Sequence, residues 1–151
     1  MDLKICLLFI FFGVYLQNKL CFDSNGEFVL LQFTDLHYGD SEERDNKTTK
    51  VQMDLINKVK PNAIVVTGDS ISGYMYDGKS KGFTERYWRK FTQPYINTKT
   101  YYMYAFGNHD TEGDLNAWEL GRLDKSNEYS LFDGEIQADI FSFSTYVVPL
   151  Y

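Results

Sequence analysis

Basic charge, cysteine, histidine and long apolar runs are all scarce in this sequence. Its 15 Lys and Arg stand against 21 Asp and Glu, for a formal net charge of −6. Nucleic-acid binding is therefore not expected, because holding a phosphate backbone needs clustered cationic surface. A phosphorylated small molecule is not excluded, since bound divalent cations would reverse the local field at a site. Both cysteines, Cys6 and Cys21, fall in the first 21 residues. No apolar run reaches the roughly 18–20 residues that a comfortable membrane span requires. Histidine occurs twice, as His37 and His109, so imidazole chemistry is confined to those positions.

The longest apolar run, Ile5 to Leu16, follows Lys4 and gives way to Gln17, Asn18 and Lys19. Residues 1–21 therefore read as a secretory signal peptide, with cleavage after Cys21 one option, because an Ala-x-Ala site is absent. An uncleaved signal anchor or a buried first strand are the alternatives. Secretion, or delivery to an endomembrane or lysosomal lumen, is the expected destination, with no stable membrane anchor. The mature chain would then carry no cysteine, and its stability must come from its core or from metal. The Asn46-Lys47-Thr48 sequon suits such a route.

What remains is sufficient for one α/β domain, expected over residues 27–151. Apolar residues make up 44% and aromatics 17% of the chain, enough for a packed core. Glu27 to Phe33 is almost continuously apolar, the pattern of a strand buried on both faces of a parallel sheet. Tyr38 to Asn46 reads as a polar loop. Val51, Leu55, Ile56 and Val59 recur at helical spacing, predicting a helix over 47–60 that Pro61 ends. Ala63 to Val66 is the second strand, closing a β-α-β unit with a right-handed crossover. Ser70 to Gly82, with three glycines, reads as a mobile loop. Thr84 is the expected N-cap of a helix reaching Phe91 and interrupted by Pro94. Tyr101 to Ala105 is the third strand and Gly113 to Asp124 a weaker helix. Ser126 to Gly134 reads as irregular. Ser144 to Tyr151 reads as a further strand that ends with the chain, as in a fold cut short.

Each of the three strands runs straight into polar, ligand-type residues. Phe28–Phe33 leads to Thr34-Asp35-Leu36-His37, Ala63–Val66 to Thr67-Gly68-Asp69-Ser70, and Tyr101–Ala105 to Phe106-Gly107-Asn108-His109-Asp110. In a parallel sheet, ligands collect outside the carboxyl ends of the strands, so these three turns converge. Asp35 and His37, two apart on extended backbone, point the same way and can grip one ion. Asp69 offers two oxygens that could bridge two ions, and Asn108 adds an amide carbonyl. This donor set suits Mn, Fe or Zn, and two such ions could bind a phosphate and generate hydroxide for in-line attack. Gly68 and Gly107 allow sharp turns beside the ions.

Asp35-Leu36-His37, Gly68-Asp69-Ser70 and Gly107-Asn108-His109-Asp110 together resemble the calcineurin-like metallophosphoesterase superfamily. Lys60 to Asp69 is most similar to the purple-acid-phosphatase-like branch that lacks the large N-terminal β domain. The resemblance runs from about Phe28 to Tyr151. It implies a two-sheet α/β sandwich with a dinuclear centre, of which the first β-α-β half is present here, and a phosphatase using metal-bound hydroxide. By the same resemblance Asp35 and His37 would hold the first metal, Asp69 would bridge, and Asn108 would hold the second. His109 would protonate the leaving oxygen or stabilise its charge, with Asp110 orienting His109. The ions would be two divalent or mixed-valence Mn, Fe or Zn.

Three departures from that family pattern matter. Ser72 stands where purple acid phosphatases place a metal-binding tyrosine, and Tyr74 lies two residues further on. His37 replaces their glycine. Both changes point to an ordinary metallophosphoesterase centre. The family also completes its site with a downstream histidine and a Gly-His-x-His motif, and His37 and His109 leave no imidazole for those roles. The expectation is an N-terminal half with weak activity at best. The alternatives are a remnant that keeps the fold without turnover, and a secreted aromatic-rich binding domain built on Tyr74, Tyr76, Tyr87 and Trp88.

Overall fold

A computed structural model describes residues 20–132. Most of the expected signal peptide and the strand expected over 144–151 lie outside the described residues. In chain order the elements are β1 (Leu30–Phe33), α1 (Glu42–Val59), β2 (Ala63–Thr67), a 3₁₀ turn (Gly73–Met75), α2 (Phe83–Thr98), β3 (Tyr101–Ala105) and α3 (Ala117–Lys125). The strands form a parallel sheet in the order β1-β2-β3. Ala63 pairs with Leu30 on one side and Tyr101 on the other, and Val66 lies between Phe33 and Tyr104. With that register all three strands end on the same edge, which is what brings the following turns together.

Burial separates the strands. On central β2, Ala63, Ile64 and Val66 are all buried. β1 departs from the expectation of a strand buried on both faces: Leu30 is 53% exposed and only Phe33 is buried. Among the described residues it is an edge strand of the three-stranded sheet.

The core is aromatic because β3 alternates. Tyr102 and Tyr104 project to one face and are buried, whereas Tyr101 and Met103 are partly exposed. Onto that face α2 lays Trp88, Phe91 and Tyr95. Trp88 meets Tyr104 edge-on at 4.7 Å between ring centroids, and Phe91 meets Tyr95 at 5.4 Å. Edge-to-face pairs align the positive rim of one ring with the negative face of the next, and each adds about 0.5–1.5 kcal/mol beyond burial.

Helix boundaries differ from the sequence expectation for identifiable reasons. α1 begins at Glu42, inside the expected loop, because the Ser41 side chain accepts from Arg44 N and Glu42, Glu43 and Asp45 complement the positive helix end. Its core-facing residues are Asp45, Gln52 and Ile56; Val51, Leu55 and Val59, expected to face the core, are exposed. Gln52 instead donates to the Tyr38 hydroxyl at 2.7 Å. α2 runs through Pro94 without interruption. The buried stripe Thr84, Trp88, Phe91, Thr92 and Tyr95 continues on both sides of it, so packing outweighs the hydrogen bond that proline cannot donate.

The α2 cap is tertiary. Gly82, not Thr84, is the N-cap, and Asp114 accepts from Gly82 N and from Thr84 N at 2.5 and 2.8 Å. α3 starts late because Asn116 and Glu119 form a reciprocal capping box. The segment after it, expected to be irregular, runs parallel to β3 for a short way: Tyr102 N donates to Tyr129 O, and Leu131 N to Tyr102 O.

Candidate metal centre

Beyond Phe33 and Thr67 the chains stay in step although neither is a regular strand. Asp35 N donates to Gly68 O, His37 N to Asp69 O, and Tyr38 N to Ser70 O, at 3.1, 3.0 and 2.8 Å. This irregular ladder sets the turns that carry Asp35, His37 and Asp69 side by side. Within it Asp35, His37 and Asp69 adopt left-handed backbone, with φ of 52°, 51° and 50°. Among the described residues they are three of five non-glycine residues with positive φ; the other two, Lys60 and Lys99, are helix C-caps. Asp and His tolerate that region better than most residues, yet it remains unfavourable and is concentrated at functional sites.

One ligand atom from each of Asp35, His37 and Asp69 lies within 4.8 Å of the others. His37 Nε2 faces Asp35 Oδ1 at 3.9 Å. The other ring nitrogen is 3.5 Å from Ser72 Oγ, which also donates to His37 O at 3.1 Å. Ser72 thus holds the imidazole from behind and leaves Nε2 toward the carboxylates. Two carboxylates and an imidazole, partly exposed and pre-set by strained backbone, form a donor set that fits a first-row divalent ion.

The β3 turn joins this pair through close backbone contact. A Cβ on Gly68 would lie 2.7 Å from Gly107 Cα, and one on Gly107 would lie 2.1 Å from Asp69 Oδ1. Only glycine at both positions lets the turns approach so far. The same Asp69 oxygen accepts from His109 N at 2.9 Å. Asn108 is exposed on this turn, and the His109 ring lies 5.7 Å from that of His37.

The structure assigns Asp110 a different partner set from the one expected. Its buried carboxylate accepts four backbone amides: Asp69 N and Gly107 N on Oδ2, Ser70 N and Ile71 N on Oδ1, at 2.7–3.1 Å. It fastens the β2 turn to the β3 turn. Burial pushes its carboxyl above the usual range, while hydrogen bonds from Tyr104 and the amides pull the other way. The group against His109 Nδ1 is Glu112, at 2.6 Å. That hydrogen bond is the leading reason the His109 imidazolium is held above its ordinary range. The orienting role expected of Asp110 thus falls geometrically to Glu112, whose signal in the sequence is its i+3 spacing from His109.

The loop after Asp69 is packed rather than open. Ser70, Ile71 and Ser72 are fully buried, and Gly73 lies so close to the third turn that a Cβ there would meet His109 O at 2.0 Å. Tyr74 emerges from this loop, half exposed, with its ring 4.8 Å from His109 and 6.0 Å from His37.

A parallel α/β sheet with carboxylate, imidazole and amide groups gathered at its carboxyl edge is compatible with a metal-binding α/β protein. The chain belongs to the calcineurin-like phosphoesterase family, whose profile matches residues 28–149. It is 32% identical over 120 residues to phosphatase DCR2 of Saccharomyces cerevisiae, covering 71% of this chain and 20% of that protein. An uncharacterised protein of Schizosaccharomyces pombe, C1020.05, is 29% identical over 110 residues, 62% of this chain and 20% of its own length. Probable inactive purple acid phosphatase 29 of Arabidopsis thaliana is 30% identical over 118 residues, 69% and 29% respectively. The chain therefore spans between a fifth and three tenths of these curated relatives. No solved structure matches it. Among the described residues, no helix is long and apolar enough to cross a membrane.

Proposed function

We propose that residues 27–151 supply part of the dinuclear metal centre of a phosphatase acting on a phosphorylated small molecule. The convergence of Asp35, His37 and Asp69 within 4.8 Å, from two different strand ends, carries this reading. Asp35 and His37 would hold one divalent ion, Asp69 would bridge and Asn108 would hold the second, with Mn, Fe or Zn fitting the donors. When bound, such ions polarise phosphoryl oxygens and activate water. The chain's own residues position and protonate. His109, fixed by Glu112 at 2.6 Å, presents its ring beside the cluster to hydrogen-bond the phosphate and give a proton to the leaving oxygen. Asp110 keeps the two turns in register.

The test is metal uptake by the full chain, followed by elemental analysis, with hydrolysis of para-nitrophenyl phosphate in added Mn as a second readout. Stoichiometric metal in the parent and at least a tenfold weaker uptake in Asp69→Asn are expected, because the substitution removes a charged ligand while keeping its shape. A parent chain that takes up no metal would sink the proposal.

A second reading is a fold that binds metal without turnover. It is favoured by two relatives that carry the printed name of a probable inactive purple acid phosphatase. Metal uptake with no hydrolysis under any divalent ion would select this reading.

A further inference from the structure

Beside the metal cluster a cleft of about 260 Å³ opens between the first ligand turn, α1 and the 3₁₀ turn. His37 belongs to both: it is a member of the cluster and a wall of the cleft. The other walls include Leu36, Asp40, Arg44, Lys47 and Tyr74. Arg44 and Lys47 are three apart on α1 and so share a face. Asp40 ties the remaining walls together, pairing with Arg44 Nη1 and accepting from the Tyr74 hydroxyl at 3.4 Å. With one carboxylate against two cations, the cleft is locally positive in a chain of net charge −6. Lys47 is exposed and has no acidic partner among the described residues.

We propose that this cleft receives a second anionic group of the substrate. The molecule hydrolysed is then a small phosphomonoester whose leaving-group side carries a further negative charge. Its phosphate sits at the cluster, Lys47 and the unpaired edge of Arg44 receive the second anion, and Leu36 and the Tyr74 ring flank the carbon skeleton. Asp40 fixes Arg44 and Tyr74 before the ligand arrives, which reduces the ordering cost of binding. This inference rests on the metal-centre reading and adds the substrate class to it.

A matched pair of ligands tests the idea: glycerol 3-phosphate, and 3-phosphoglycerate, which carries a carboxylate in place of a hydroxymethyl group. Each is titrated calorimetrically into the Mn-loaded full chain after metal uptake has been measured. An exposed charge contact supports a preference of about fivefold for 3-phosphoglycerate. In Lys47→Ala that preference should fall to about twofold or less, with metal uptake and glycerol 3-phosphate affinity unchanged. Equal affinities in the parent overturn the subsite, since a merely solvated lysine selects nothing. A preference that survives in the double variant Lys47→Ala/Arg44→Ala also overturns it, because neither cation of the cleft would then be the source. Absence of metal uptake refutes the underlying metal reading; normal uptake without selectivity refutes the subsite alone.

Discussion

Replacing Asp110 with asparagine is a severe test of the idea that one buried carboxylate holds the site together. The carboxylate accepts two amides on each oxygen, at 2.7 to 3.1 Å. Asparagine keeps one accepting oxygen and turns an NH₂ group toward the other pair, so two amides lose their acceptor and face a donor. A hydrogen bond to a charged group contributes about 1.5–3 kcal/mol, and a buried donor left unsatisfied costs the full desolvation penalty. Two such losses come to roughly 3–6 kcal/mol. Part is recovered, because burial already pushes the Asp110 carboxyl above its usual range, so removing the charge relieves some desolvation. A net loss of about 3 kcal/mol remains. With a urea slope of about 2 kcal/mol per molar, the denaturation midpoint of Asp110→Asn should fall by about 1.5 M. Metal affinity should fall with it, since the amide of Asp69 loses its anchor. A midpoint shift corresponding to under about 1 kcal/mol would refute the claim that Asp110 clamps the two turns.

Two further perturbations probe other parts of the argument. Asp124 is buried beneath the segment after α3, accepting from Tyr102 Oη at 2.5 Å and Ser130 Oγ at 2.8 Å, and burial pushes it up to about 6 against those bonds. Because its folded value exceeds the unfolded 3.8, the folded state binds more protons between the two. Its contribution therefore rises as pH falls from about 7 to about 4, by about 3 kcal/mol. Urea midpoints at both ends of that window, for the parent and Asp124→Asn, check this; equal pH dependence in the two proteins would contradict it. Gly107→Ala puts a Cβ 2.1 Å from Asp69 Oδ1 and 2.3 Å from Asp69 N, so the β2 turn must shift, at a cost of about 1–3 kcal/mol. At least a tenfold loss of metal affinity is expected by titration, and unchanged affinity would show that Asp69 tolerates displacement.

The gathering of three polar turns at one sheet edge is legible in the sequence because apolar strand residues give way abruptly to Asp-x-His, Gly-Asp and Gly-Asn-His-Asp, and the β-α-β order fixes where those turns lie. Less legible were features that depend on residues distant in sequence. Asp114 caps α2 from 30 residues away, and nothing local to Gly82 or Thr84 announces it. The stripe Val51, Leu55 and Val59 has helical spacing, yet Ile56 and Gln52 are the residues buried against the core. Ser41 was hidden as a cap because the charged run after it looks like a loop, although acidic residues in a first turn are favourable. Asp110 shows the limit most clearly: its position in Gly-Asn-His-Asp suggests service to His109, and its four amide partners appear only when both turns are folded.

The left-handed backbone at Asp35, His37 and Asp69 ties the fold to the proposed chemistry. Each such residue costs about 1–2 kcal/mol relative to ordinary backbone, so local preference alone would not hold these turns. What holds them is cross-strand: the ladder from Asp35, His37 and Tyr38 to Gly68, Asp69 and Ser70, and the Asp110 clamp beyond it. Those bonds use backbone groups and the Asp110 carboxylate, so none of them occupies His37 Nε2. Asp69 Oδ1 accepts from His109 N, and its other oxygen accepts no hydrogen bond among the described residues. The strain is therefore supported from behind while donor atoms remain open in front. A local conformational rule is broken where function is expected, and the compensation is found in the same loops. That division of labour is the physical ground on which we propose an ion site here rather than an incidental cluster of acids.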